Sequence, residues 1–116
     1  MKVFSGVAQR GEGRAGSLGF PTANIPLGES VLSGVYAGRV EVKGKRYDAA
    51  IFADQNRGIL EAYLLDFWGE LYGQEMTIEL GEKLRDAKSF ANDDELRAAI
   101  TADVERVRAL APAATR

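Results

Sequence analysis

Polar and apolar positions alternate over most of the first two thirds of the chain. The clearest period-two pattern is at Met76, Ile78 and Leu80, which are separated by polar residues. Such alternation is typical of a β-strand that buries one face. Alternation and enrichment in β-branched residues predict further strands over residues 3–9, 34–42, 47–52 and 59–67. A Lys-Gly-Lys turn signal at residues 43–45 makes the second and third of these a hairpin.

The pattern changes to a helical period after residue 90. Asn92 followed by Glu95 has the spacing of a capping box, in which the first side chain caps the helix and the second reaches back. Apolar residues then recur three or four positions apart, at Leu96, Ile100, Val104 and Val107. We expect this helix to end near Leu110, before Pro112, and residues 111–116 to fray.

Short strands followed by one C-terminal helix predict a mainly β domain. The expected architecture is a closed or nearly closed antiparallel barrel with the helix packed outside it. A chain of 116 residues suits one domain, and it contains no internal repeat, linker or low-complexity segment. We place the domain at residues 1–110.

The composition restricts the chemistry that is available. The chain has no cysteine and no histidine, which excludes thiolate catalysis, cysteine-based metal sites and a histidine base. A bound metal is therefore expected to be a hard, oxygen-liganded ion such as magnesium. The net charge is −2 with no basic cluster, which argues against nucleic acid as a partner. No membrane-spanning run or signal peptide is seen, so we expect a cytoplasmic protein; its oligomeric state is left open.

A glycine-rich stretch follows the first predicted strand. Gly11, Gly13 and Gly16 lack a Cβ, so backbone N–H groups near them can approach a phosphate closely. The stretch is not a Walker A loop, because no Gly-Lys-Ser/Thr follows it. The alternative is a flexible β-turn.

The most distinctive segment is LGFPTANI at residues 18–25. The Thr22 hydroxyl and the Asn24 amide are two residues apart, so on an extended chain both point to the same side. Together they can ligate magnesium or a phosphate oxygen. The alternative is that both side chains satisfy backbone groups in a turn after Pro21.

Two further groups are candidates for a site. Glu61 lies in an otherwise apolar strand, and it is either exposed to solvent or held in a cleft as a general base. Asp66 is a weaker candidate, because it lies at the end of the strand, where a turn-capping role is expected. Arg85 and Phe90 can flank a planar ligand by stacking, or they can be a surface charge and a core aromatic.

The order of these motifs resembles that of the riboflavin kinases, including the kinase module of bacterial bifunctional FAD synthetases. The resemblance extends from residue 4 to about residue 107. It is carried by Gly6, Gly11-x-Gly13-Arg14, LGFPTAN at 18–24, Gly34-Val35-Tyr36-Ala37, Glu61, Leu65-Asp66-Phe67, Leu71-Tyr72-Gly73, Leu84-Arg85, Phe90 and Glu95-Leu96.

The resemblance implies a six-stranded Greek-key barrel and the Mg²⁺-dependent transfer of a phosphoryl group from ATP to riboflavin, giving FMN. Glu61 would take the proton of the ribityl 5′-hydroxyl, and Thr22 and Asn24 would hold the metal. The residues implied to bind the nucleotide are Gly11, Gly13, Arg14, Gly16, Phe20, Pro21 and Thr22. The residues implied to bind the flavin are Leu84, Arg85 and Phe90.

The chain departs from the family pattern at three places. Residues 50–58 lack the Pro-Thr that usually precedes the glutamate, Tyr63 replaces a frequent histidine, and Ala87 replaces a common glutamate. Two alternatives follow, namely a kinase of the same fold for another small alcohol, or a non-catalytic module that binds a flavin or nucleotide. The adenylyltransferase module of the bifunctional enzymes is absent, so no FAD synthesis is expected from this chain alone.

Overall fold

The computed structural model describes residues 2–11 and 14–115, and the side chains of residues 2–11 and 15–110. Seven β-strands and two helices lie within these residues. They are β1 (Lys2–Val7), β2 (Gln9–Arg10), α1 (Arg14–Ser17), β3 (Ala23–Pro26), β4 (Gly34–Val42), β5 (Lys45–Asp54), β6 (Ile59–Leu64), β7 (Glu75–Arg85) and α2 (Asp93–Thr115).

The strands form one antiparallel sheet in the order β1-β7-β4-β5-β6-β3-β2. The sheet curls, so that β1 at one end of this order approaches β3 near the other end. At the point of approach, a Cβ added to Gly6 would lie 3.2 Å from the Cβ of Ile25. The predicted mainly β architecture with a C-terminal helix is therefore confirmed as a curled half-barrel.

The count of six strands implied by the resemblance is wrong, because the structure has seven. The first predicted strand divides at Ala8, and β3 lies outside the five strands that the pattern predicted. Ala8 is buried, its N–H donates to Gln74 O at 2.8 Å, and its carbonyl accepts from Gly73 N at 2.9 Å. These bonds join Ala8 to the loop before β7, and the chain then pairs with β3 instead of β7. The short strand β2 results from this change of partner.

The β4–β5 hairpin follows the prediction closely. β4 spans the predicted residues, and Val42 pairs with Lys45 around the turn. Lys43 and Gly44 have φ values of 55° and 75°, which are typical of the two-residue turns that suit twisted hairpins. β6 ends earlier than predicted, since Asp66 has a φ of 57° and turns the chain away from the sheet.

Apolar residues pack on both faces of the sheet. The inner face holds the larger core, which includes Ile25, Val40, Ile51, Leu60, Met76 and Ile78. The outer face packs against α2 through Val35, Ala37, Ala50, Leu65, Leu84 and Val107. This second core fixes α2 over the outer face, where β4, β5 and β6 are adjacent.

The start of α2 was predicted correctly and its end was not. Asn92 Oδ1 accepts a hydrogen bond from Glu95 N at 2.9 Å, and Glu95 Oε1 accepts one from Ala91 N at 3.3 Å. The predicted end near Leu110 is wrong, since the helix continues past Pro112 to Thr115. Alanine, the best helix former, is frequent on both sides of this proline and favours the helical conformation there. Fraying of residues 111–116 stays a prediction.

No helix in the described part of the chain is both long enough and apolar enough to span a membrane.

Candidate functional site

The side chains predicted as metal ligands and as general base lie on the outer face of the sheet. Ala23 and Ile25 of β3 are buried in the inner core, so the residues that alternate with them, Thr22 and Asn24, lie on the opposite face. Asn24 is the direct cross-strand partner of Glu61 on β6. The register of the sheet therefore brings together the three residues that were predicted as metal ligands and base.

A cleft of about 510 Å³ lies between this face and α2 and is called the first cleft below. Its apolar walls include Phe20, Val35, Phe52, Tyr63, Phe90, Leu96 and Ile100. Its polar and charged side chains include Thr22, Arg57, Glu61, Arg85, Lys88, Ser89 and Asp103. The cleft is thus mostly apolar, with a small number of polar groups, as is typical of small-molecule sites.

Glu61 lies in this cleft and is not exposed to bulk solvent. Its side chain is 8% exposed, and Arg57 Nη2 lies 3.5 Å from its Oε2. Arg57 is the only cation that pairs with Glu61 among the described side chains. A carboxylate in this position can accept a proton from a hydroxyl bound in the cleft.

Arg57 is itself held by Asp54, at the start of the turn between β5 and β6. Arg57 Nε donates to Asp54 Oδ2 at 2.6 Å, and Arg57 N donates to Asp54 Oδ1 at 3.1 Å. Burial raises the pKa of Asp54, but the hydrogen bonds from Arg57 outweigh this and hold the pKa below its ordinary value. The hydrogen bond to Asp54, with the charge of Glu61, raises the pKa of Arg57.

Thr22 is buried and its backbone is fixed. Its carbonyl accepts hydrogen bonds from Tyr72 Oη at 3.0 Å and from Gly11 N at 3.3 Å. A Cβ added to Gly11 would overlap Thr22 Oγ1 and would lie 3.4 Å from Glu61 Oε2. Gly11, Thr22 and Glu61 therefore converge on one point, and only glycine leaves space there.

Asn24 carries a buried acceptor atom that the described part of the protein does not satisfy. Among the described side chains, its Oδ1 is the one buried nitrogen or oxygen atom with no hydrogen-bond partner. A buried acceptor without a donor is costly and is typical of a site that is completed by a ligand or ion. No cluster of three or more acidic side chains suited to a metal occurs within residues 2–11 and 14–115. The neutral oxygens of Thr22 and Asn24 fit a hard cation that also takes oxygens from phosphate.

A second cleft, of about 400 Å³, lies on the other side of Thr22 and is called the second cleft below. Its lining includes Arg10, Pro21, Thr22, Tyr63, Asp66, Phe67, Trp68, Tyr72 and Arg108. The Arg10 guanidinium lies 4.3 Å from the centroid of the Tyr72 ring, and Trp68 is 83% exposed. Thr22 and Tyr63 line both clefts, so the two clefts are adjacent at these residues.

The predicted nucleotide-binding residues are spread over both clefts. Phe20 lines the first cleft, where its ring meets Tyr63 edge to face at 5.4 Å, and Pro21 lines the second. Residues 14–17 form the helical turn α1 instead of a β-turn, and Gly16 is exposed there. Gly13 and the side chain of Arg14 lie outside what the structure describes.

The predicted flavin-binding residues are placed differently from one another. Phe90 and Arg85 line the first cleft, with the guanidinium 5.5 Å from the ring centroid. Arg85 is also bound to Asp103 of α2, through Nε at 2.9 Å and Nη2 at 2.8 Å. Leu84 is not brought to the cleft, because it is buried beside Val107 in the outer core.

Sequence reasoning missed Arg57 and Asp103. Asp103 carried a signal, since it falls on the apolar face of α2, three residues after Ile100 and four before Val107. Such a position requires a polar partner, which is Arg85. Nothing in the sequence pattern singled out Arg57, because the direction in which its side chain points depends on the conformation of the turn. Asp66 lies in a turn, as predicted, but its carboxylate accepts hydrogen bonds from the Arg108 side chain, at 2.9 Å from Nη1, and its turn-capping role stays a prediction.

Comparison with known proteins gives a consistent result. The family model for flavokinase, described as riboflavin kinase, matches residues 2–111. A bifunctional riboflavin kinase/FMN adenylyltransferase from Pseudomonas fluorescens is 37% identical, over 93% of this chain and 38% of its own length. The protein of that name from Escherichia coli K12 is 37% identical over 87% of this chain, and that from Bacillus subtilis is 32% identical over 86%. The chain spans little more than a third of the length of these relatives.

Among solved structures, the chain is similar to one described as a macrolide-efflux protein from Streptococcus pneumoniae. The TM-score is 0.77 with 26% identity, over 91% of this chain and 36% of that one.

Proposed function

The chain belongs to the riboflavin kinase family, and we propose that it transfers the γ-phosphoryl group of ATP to the 5′-hydroxyl of riboflavin, giving FMN and ADP. The observation that carries this proposal is the convergence of Gly11, Thr22 and Glu61, because Glu61 lines the first cleft and Thr22 lines both. Transfer between two substrates requires a point that both reach, with a base on the acceptor side.

The first cleft suits the acceptor. Its walls carry the aromatic rings of Phe20, Phe52 and Phe90, against which a planar isoalloxazine ring can pack. Glu61 lies in this cleft, so the ribityl chain of riboflavin would extend towards it. The 5′-hydroxyl would then lie beside the carboxylate.

The second cleft suits the nucleotide. Pro21 and Thr22, both predicted to bind nucleotide, line it, and it also carries the Arg10 guanidinium and the exposed ring of Trp68. The adenine ring of the nucleotide can stack on the indole of Trp68, and Arg10 can neutralise phosphate charge. The stretch that contains Gly11, Gly13, Arg14 and Gly16 would then cover the phosphates.

In the proposed reaction Glu61 accepts the proton of the 5′-hydroxyl as that oxygen bonds to the γ-phosphorus. The bond between the γ-phosphorus and the β–γ bridging oxygen breaks, and ADP leaves. Little covalent chemistry is required of the protein in phosphoryl transfer, so positioning and charge neutralisation dominate. The fixed backbone of Thr22 serves positioning, and the buried carboxylate of Glu61 serves to accept the proton of the hydroxyl.

We further propose Mg²⁺ as the metal, held by Thr22 Oγ1 and Asn24 Oδ1. When bound it supplies neutralisation of the charge on the transferred phosphoryl group. The unpartnered Asn24 Oδ1 supports this assignment. ATP as the donor and a cytoplasmic location belong to the same proposal.

A related candidate function is phosphorylation of another small alcohol. It is favoured by the turn between β5 and β6, which lacks Pro-Thr and places Arg57 in the acceptor cleft. A comparison of riboflavin with ribitol, which carries the same chain without the ring, tests the acceptor. With ATP and Mg²⁺ we expect FMN from riboflavin and no ribitol phosphate. Ribitol phosphate without FMN would favour the other alcohol, and flavin binding without any product would favour a non-catalytic module.

A further inference from the structure

The turn between β5 and β6 places a guanidinium beside the candidate base. Arg57 lines the first cleft, and its Nη2 lies 3.5 Å from Glu61 Oε2. We propose that Arg57 is a positioning residue that holds the Glu61 carboxylate in the orientation from which it accepts the acceptor's proton. The inference rests on the proposed phosphoryl transfer and concerns the segment where this chain departs from the family pattern.

Arg57 is fixed before any substrate binds. Asp54 accepts hydrogen bonds from Arg57 Nε at 2.6 Å and from its backbone N at 3.1 Å. One carboxylate therefore binds both ends of the same residue, and the Asp54 side chain is only 13% exposed. The Arg57 side chain is itself 42% exposed, and its hydrogen bonds to the largely buried Asp54 carboxylate restrict the rotamers of this long side chain.

The turn that carries this pair is also anchored. Gly58 N donates to Asp54 O at 2.8 Å, which closes the turn, and Leu27 N donates to Gly58 O at 2.8 Å. Asp54 and Ile59 are cross-strand partners at its base. The guanidinium is thus attached to a closed turn that is tied to the residue following β3. A group preorganised in this way does not need to be ordered during the reaction.

Glu61 needs such a partner. Its side chain is 8% exposed, and its cross-strand neighbour on β5 is the apolar Phe52. A buried carboxylate without a counter-charge is unfavourable. The described residues give Glu61 one hydrogen bond, from Arg57 to Oε2, which leaves Oε1 for the hydroxyl of the acceptor.

The first test separates positioning from substrate binding. In Arg57→Met we expect kcat for FMN formation to fall by about 10- to 100-fold, as for a misplaced catalytic group. The KM for ATP should stay unchanged, because Arg57 does not line the second cleft. Arg57→Lys should recover part of kcat, since it keeps a cation near Glu61. If Arg57→Met changes only the KM for a substrate and leaves kcat unchanged, the proposal is wrong. It is also wrong if folded Arg57→Lys has no higher kcat than Arg57→Met.

The decisive test combines this variant with Glu61→Gln. A residue that acts only through Glu61 has nothing left to position once the carboxylate is gone, so the double variant should be no slower than Glu61→Gln alone. Losses that multiply would overturn the proposal. Arg39→Met is the matched control, because Arg39 pairs with Asp48 at 3.7 Å and lines neither cleft. It should leave kcat unchanged.

An NMR measurement on the full chain without substrates keeps this proposal distinct from the proposed function. The Arg57 side-chain N–H resonances can be assigned by their loss in Arg57→Lys. We expect Glu61→Gln to shift them and Arg39→Met to leave them in place. An absent shift in Glu61→Gln would refute the Arg57–Glu61 contact. If the shift occurs but the wild-type chain makes no FMN, the contact stands and the proposed function fails.

Discussion

Asn24 and Glu61 lie directly opposite each other on β3 and β6, with both side chains on the outer face of the sheet. In the described part of the chain, Asn24 Oδ1 has no hydrogen-bond partner and Glu61 is paired only on Oε2. The register of one strand pair therefore places an open acceptor oxygen next to a buried carboxylate. This relationship underlies the proposed division between a metal-holding strand and a proton-accepting strand.

Asn24→Ala tests the metal-holding role. The variant removes a buried acceptor that lacks a donor, so the free energy of unfolding should not fall, whereas the Mg²⁺ concentration for half-maximal activity should rise several-fold. Thermal unfolding and Mg²⁺ titration of FMN formation measure the two effects. A destabilised variant with an unchanged Mg²⁺ requirement would show that Asn24 has a structural role only.

Trp68 provides a direct reporter of the second cleft. It is the only tryptophan in the chain and is 83% exposed, so its fluorescence should change when ADP binds. Stacking of a nucleobase on an aromatic ring is worth about 1–3 kcal/mol, and Trp68→Ala should therefore raise the KM for ATP about 5- to 150-fold. Fluorescence that stays constant at saturating ADP would place the nucleotide elsewhere.

Asp103→Asn tests the attachment of α2 to the sheet. Asp103 is 5% exposed and binds Arg85 through two nitrogens, while the Arg85 side chain is 27% exposed. Loss of the charge should lower the free energy of unfolding by about 2–3 kcal/mol, between the values for exposed and buried pairs. Urea unfolding measures this effect. Asp94→Asn, which breaks the exposed pair with Arg97, is the control and should cost less than about 1 kcal/mol.

The Asp54–Arg57 pair predicts a pH dependence of stability. Burial raises the pKa of Asp54, but the hydrogen bonds and charge of Arg57, with a hydrogen bond from Asn56 N, together hold the pKa below its ordinary value of 3.8. A lowered pKa in the folded state stabilises the protein above the ordinary value, and this stabilisation is lost as the pH falls through the folded-state pKa. Asp54→Asn should therefore be less stable than the wild type at pH 7, and the difference should shrink below pH 3.8. A difference that is constant or grows towards acid pH would contradict the assignment.

The parts of the fold that depend on local pattern were predictable. The β4–β5 hairpin and the Asn92 cap follow from alternation, turn residues and capping spacing, all of which act over a few residues. The break at Ala8 was not predictable, because it depends on hydrogen bonds to the distant loop at Gly73 and Gln74.

The candidate site likewise has features that the sequence pattern predicted and features that only the structure gives. Thr22 and Asn24 were predicted as candidates from their two-residue spacing, and Glu61 as a charge in an apolar strand, and their roles stay predictions. Their convergence required the register of β3 with β6, which the sequence pattern does not give. The contact of Arg57 with Glu61 depends on the closed turn, so it is visible only in the structure.

The measurement that tests the central claim most directly is the formation of FMN by the wild-type chain and by Glu61→Gln. Both are incubated with ATP, Mg²⁺ and riboflavin, and FMN is separated and quantified, with Arg39→Met as a folded control. Loss of a general base typically lowers the rate by about 10²- to 10⁴-fold, so Glu61→Gln should retain about 1% of wild-type kcat or less. Arg39→Met should retain full activity. No FMN from the wild-type chain, or equal rates for wild type and Glu61→Gln, would contradict the account.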